Sequence, residues 1–221
     1  MAFIHETTMT PGKLELLAAW LPARPWYAGS ADGPELSRSG GFRLDDPEGA
    51  VGIEFMVVTD TSGGAPVAYH VPLSYRGAPL SGADGTDSAD GALIGTSEHG
   101  VLGRRWVYNA TRDPVAIGRL LALLQGRAEP QHQNRSDTPD PSVTSDFTGD
   151  GPVAMAALTS VEDAEHGTDI TVRTEAGDAL TIRVVRVLRE DQPANALGSV
   201  TAGWRSPDGD QNRGPFAVLN A

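Results

Sequence analysis

A chain of 221 residues with 39% apolar content can bury a real core and is long enough for two small domains. Its 17 basic and 29 acidic residues give a formal charge of −12, spread along the whole chain, which excludes nucleic acid and anionic membranes as expected partners. The absence of cysteine removes disulfides, thiolate nucleophiles and Cys-ligated zinc, and Lys13 is the only lysine, so chemistry that needs an amine must use it.

"KLELLAAWLPA" (13–23) has the length of a leader's apolar run but contains Glu15, and it is too short to span a bilayer. The expected location is the cytoplasm. Thr10 followed by Pro11 reads as a helix start, and Leu14, Leu17, Ala18 and Leu21 then fall on one stripe ending near Pro22. "VGIEFMVVT" (51–59) and "VAYHVPL" (67–73) read as strands of a hairpin turned by Gly63 and Gly64, with Pro72 suited to an edge or a strand end. "SGADGTDSADG" (81–91) is a loop by composition, and "GRRWVYNA" (103–110) is a further strand. Asp113 caps and Pro114 opens a second helix, whose face is Ile117, Leu120, Leu121 and Leu124 and which Gly126 closes.

Residues 129–151, "EPQHQNRSDTPDPSVTSDFTGDG", are Pro-rich, nearly devoid of apolar residues and aperiodic, and read as a linker or a long surface excursion. Beyond them 153–160, 168–174, 179–188, 199–206 and 214–220 read as strands, with turn chemistry in "EAGD" and "SPDGDQNRG". The fold class expected is α+β: a curved antiparallel sheet packed by helices over 1–128, then a small antiparallel β unit over 152–221.

Catalytic grammar is mostly missing. Gly12-Lys13 precedes Leu14 rather than Ser or Thr, so it is no phosphate loop. "GTSEHG" (95–100) places its second glycine one residue too late for a nucleophile elbow. The five histidines are scattered with no helical pair, and no metal or cofactor site is expected. "ARPWYAGS" (23–30) offers Arg24, Trp26 and Tyr27 as candidates for ligand or partner contact, since a sugar stacks on such rings, although aromatics beside a helix end also serve as core packing. Arg183 and Arg186 interrupt the strand "LTIRVVRVL" (180–188) and are the other two candidates.

Two blocks resemble the N-terminal part of bacterial maltokinases and related sugar kinases of the aminoglycoside-phosphotransferase-like class. "LPARPWYAGS" (21–30) is similar to their Arg-Trp-Phe-x-Gly-Lys-like element, with Ser30 where lysine is usual. "VAYHVPL" is similar to their Y-x-VPL strand, and "WVYNATRDPVAIGRLLALL" (106–124) to their VYDA…DP strand and helix, with Asn109 in the aspartate's place. The resemblance implies a cap over 1–128 and a kinase N-lobe-like sheet over 152–221, with Arg183 where a lysine would meet ATP phosphates; Arg is a poor substitute there. It also implies that the catalytic lobe is absent, since Ala221 falls where the hinge would begin. The function expected is a non-catalytic module serving α-glucan, maltose or trehalose metabolism through a protein partner or homodimer, docked on an uncovered face of the second sheet. Two alternatives are a binder of a carbohydrate, nucleotide or sugar phosphate, and a carbohydrate-active enzyme of the α-glucan pathway.

Overall fold

The computed structural model describes residues 8–80, 92–190 and 196–221, so the expected loop at 81–91 lies outside the described residues. Its helices are α1 (Lys13–Trp20) and α2 (Pro114–Leu124). Its strands are β1 (Met9–Thr10), β2 (Leu36–Leu44), β3 (Val51–Asp60), β4 (Val67–Arg76), β5 (Leu93–His99), β6 (Gly103–Asn109), β7 (Gln131–His132), β8 (Thr144–Phe147), β9 (Met155–Asp163), β10 (Gly167–Thr174), β11 (Ala179–Val185), β12 (Gly198–Arg205) and β13 (Gln211–Asn220). The α+β expectation holds in coarse form, with sheet dominating and two short helices.

The β3–β4 hairpin forms in full register from Val51 opposite Arg76 to Asp60 opposite Val67. Asp113 caps α2 as expected, its carboxylate accepting from the Val115 N–H at 3.0 Å, and Pro114 occupies the first turn. α1 differs: it starts at Lys13 behind Gly12, because Met9 and Thr10 are drawn off as a strand opposite His99 and Glu98. Glu15 then caps the start by accepting from the Gly12 N–H at 2.6 Å.

Two separate sheets were expected, and the described strands instead form one. The strand order is β1-β5-β6-β4-β3-β2-β12-β13-β11-β10-β9, with β7 added beside β2 and β8 beside β12. The halves meet where Gly40 in β2 faces Trp204 in β12. Gly40 has φ +155°, and a Cβ there would lie 3.1 Å from the Gly203 carbonyl oxygen and 3.2 Å from the Trp204 Cα. A second seam closes the sheet on itself: the His70 N–H donates to the Arg186 carbonyl and the Leu188 N–H to the Ala68 carbonyl, both at 2.9 Å. The outer edge of β4 therefore has two partners, β6 along Leu73–Arg76 and residues 186–188 near its start. Pro72 falls between them, where no ladder donor is required.

Residues 129–151 do not hang free. β7 pairs with Phe42 and Arg43 of β2, β8 pairs along Gly198–Thr201 of β12, and Gln131 and Val143 are buried.

Alternating residues of β3 and β4 feed two cores, which explains why β3 reads as an unbroken apolar run. Met56, Val58, Tyr69, Val71 and Leu73 pack with Leu17, Trp20 and Leu21 of the α1 region. Ile53, Phe55 and Val57 join a larger core with Ile117, Leu120 and Leu124 of α2 and with Ile170, Ile182, Val184, Val200 and Phe216 of the second half. The expected open sheet face is thus overturned: Ile170, Val172, Ile182 and Val184 are fully buried within this single chain, in the core that α2 shares.

Candidate functional site

Glu54 is the one carboxylate inside the apolar run of β3, and its even register turns it to the α1 side of the sheet. It is buried and collects donors from three other elements. Lys13 Nζ, from the first turn of α1, lies 2.5 Å from Oε2; the Tyr75 hydroxyl, from β4, donates to the same oxygen at 2.6 Å; Gln133 Nε2 donates to Oε1 at 2.9 Å. Arg38 of β2 adds a longer ion pair at 3.8 Å. Burial pushes the Glu54 carboxyl up, but the Lys13 charge and the three hydrogen bonds outweigh it and hold the pKa below the ordinary carboxylate value. Burial and then the Glu54 charge push the Tyr75 phenol well up, so it stays a donor. The group opens into a cleft of about 720 Å³ that Arg43, His99, Arg105 and Asn134 also line. Sequence reasoning missed this site, though a lone glutamate in an apolar strand and a lone lysine in the chain were both visible.

The predicted residues lie elsewhere and split three ways. Arg24, Trp26 and Tyr27 join an aromatic stack: the Arg24 guanidinium sits 4.8 Å from the Trp20 ring centroid, Trp20 is 5.8 Å from Trp26, and Trp26 and Tyr27 lie 5.9 and 5.6 Å from Tyr69. Trp26 is buried, and the Tyr27 hydroxyl donates to Asp60 at 2.9 Å. Trp20 and Trp26 are core packing rather than an open sugar platform, whereas Arg24 and Tyr27 are only half-buried.

Arg186 requires correction as a contact residue, because it is wholly buried. Its Nε donates to Thr168 Oγ1 at 2.8 Å, its Nη2 to Asn109 Oδ1 at 2.8 Å and to Thr111 Oγ1 at 3.2 Å, and its guanidinium lies 5.0 Å from the Trp26 centroid. None of these partners is a carboxylate; the nearest anionic help comes through Thr168, which donates to Asp163 at 2.5 Å. Burial lowers the Arg186 pKa to about 10, so it remains charged at neutral pH. Arg183, in contrast, is exposed on the other face of β11, donating from Nε and Nη2 to Asp169 at 2.7 and 2.6 Å.

Among the described residues no group of three or more His, Asp or Glu side chains is gathered to hold a metal ion, and no helix is long and apolar enough to cross a membrane.

The family model of the maltokinase N-terminal cap domain matches residues 20–113. This segment is similar to a maltokinase N-terminal cap domain. No curated protein matches the chain. The matched segment runs from the last residue of α1 to the N-cap of α2, and so contains β2 to β6, the aromatic stack, Glu54, Tyr75 and Arg38. Lys13 and Gln133 lie outside the matched segment, so the cleft is completed by residues before and after it. Asn109 and His70 belong to the matched segment, and Arg186 inserts into it from the second half of the chain.

Proposed function

We propose that the chain is a non-catalytic, maltokinase-related module of α-glucan, maltose or trehalose metabolism in the cytoplasm, acting by binding as a regulatory or interaction partner. The observation that carries this reading is the state of Arg183. A strand cation that handles ATP phosphates must offer its donors to the nucleotide. Arg183 instead spends two of them on Asp169, on an exposed face away from the shared core. The planar fork suits that carboxylate, and it does not reproduce a compact ammonium on a phosphate.

The test is a transfer assay. Purified chain incubated with Mg²⁺, ATP and maltose is expected to give no maltose 1-phosphate above a protein-free control. Product that scales with protein and is lost in Arg183→Ala overturns the reading.

A further inference from the structure

The cleft beside α1 carries a charge opposite to that of the chain. Its lining includes Lys13, Arg38, Arg43 and Arg105 against the carboxylates Glu15 and Glu54, on a protein of formal charge −12. Both carboxylates are already engaged: Glu54 by Lys13, Tyr75 and Gln133, and Glu15 by the Gly12 N–H. Arg38 reaches Asn134 at 3.2 Å and Glu54 at 3.8 Å, both through Nη2, and Arg105 spends Nη2 on the Leu102 carbonyl at 2.8 Å, so each guanidinium keeps further donors. The first turn of α1 adds its positive end on the same side.

We propose that this cleft is a binding site for a phosphomonoester carried on a polar, sugar-sized body. It rests on reading the chain as a binding module. A dianion with three terminal oxygens matches several guanidinium and ammonium groups lining one cleft better than a carboxylate does. A volume of about 720 Å³ exceeds what a bare phosphate fills and falls within the range of small-ligand pockets. Leu14, Ile53 and Leu102 provide the apolar part of the wall, and Gln133 and Asn134 provide amides for hydroxyl groups.

The lone lysine makes the test specific to the site. Protein labelled with ¹⁵N-lysine gives one backbone amide signal, from Lys13 in the first turn of α1. Titration with glucose 1-phosphate is expected to shift that signal saturably, inorganic phosphate to shift it with at least fivefold weaker affinity, and neutral maltose to leave it in place. The double variant Arg38→Gln/Arg105→Gln, checked for an unchanged circular dichroism spectrum and urea midpoint, is expected to bind glucose 1-phosphate at least tenfold more weakly. A signal that maltose shifts as strongly, that glucose 1-phosphate does not shift, or whose titration the double variant leaves within twofold overturns the site. None of these results touches the transfer assay, so the non-catalytic reading stands or falls separately.

Discussion

Arg186 Nη2 donates to Asn109 Oδ1 at 2.8 Å across 77 positions of sequence, fixing a charged side chain of the second half inside the cap-like segment. A buried guanidinium is costly unless its donors are met, and here neutral oxygens meet them. Arg186→Met keeps the bulk but leaves Asn109, Thr111 and Thr168 without their donor. It is expected to destabilise the fold by about 2–4 kcal/mol, measured as a shift of the urea midpoint.

Asn109→Asp keeps the acceptor and adds the opposite charge. The new carboxyl would sit beside Arg186, so its folded pKa lies below the unfolded value of about 3.9. The added stability is then fully present above the unfolded pKa and is lost as pH falls through the folded one. Urea midpoints of Asn109→Asp at pH 7 and pH 3 are expected to exceed the parent at the first and to exceed it by less at the second.

His70 makes the interior sensitive to acid. Its ring lies 4.5 Å from Phe216, Nδ1 donates to the Val185 carbonyl at 3.0 Å, and burial, then the Arg186 charge, lower its pKa to about 3. The folded state therefore binds the His70 proton less readily than the unfolded chain, whose value is 6.5. This contribution is complete above pH 6.5 and shrinks as pH falls toward 3, by about 1 kcal/mol between pH 6.5 and 5.5. His70→Phe is expected to flatten the decline of the urea midpoint over that interval, whatever its midpoint at pH 7.

Asp113 does two jobs, capping α2 and binding Arg76 through Nε at 2.8 Å and Nη2 at 2.6 Å. Asp113→Ala removes both and is expected to cost about 2–4 kcal/mol, whereas Asp113→Asn keeps a capping oxygen and costs less. The exposed Arg183–Asp169 pair is the contrasting case, where Asp169→Asn is expected to cost less than about 1 kcal/mol. Thermal denaturation of the three variants ranks them.

Gly41 lies beside the seam with φ +128°, and a Cβ there would stand 2.3 Å from the Phe55 carbonyl oxygen. Gly41→Ala is expected to destabilise by more than about 2 kcal/mol, because the backbone of β2 must shift away from β3. Circular dichroism melting checks it.

The long apolar runs and the capped helix were readable because their signals are local: β3, β4 and α2 stand where periodicity and capping put them. β2 was not, since "LSRSGGFRL" is polar and holds two adjacent glycines, and only its place between β3 and the seam with β12 explains that composition. β5 came into view only as a failed nucleophile motif. Its Ser97 is structural, donating to the Pro11 carbonyl at 2.8 Å. Arg186 was visible as an anomaly on an apolar face, yet its partners Asn109, Thr111 and Trp26 are distant in sequence, so its inward role could not be read. The same holds for the cleft. Glu54 and Lys13 were each unusual alone, and only the pairing of α1 with the β3 face brings them within 2.5 Å.

The account depends on the cap-like segment and the second half being one body, joined at Gly40–Trp204, at residues 186–188 and through Arg186. Native-state hydrogen exchange over a denaturant series tests it most directly. Slow amides in β3 of the cap-like segment and in β11 and β13 of the second half are expected to merge into one unfolding isotherm, with one free energy and one denaturant dependence. Separate isotherms, with β11 and β13 opening at lower denaturant while β3 stays protected, would contradict it.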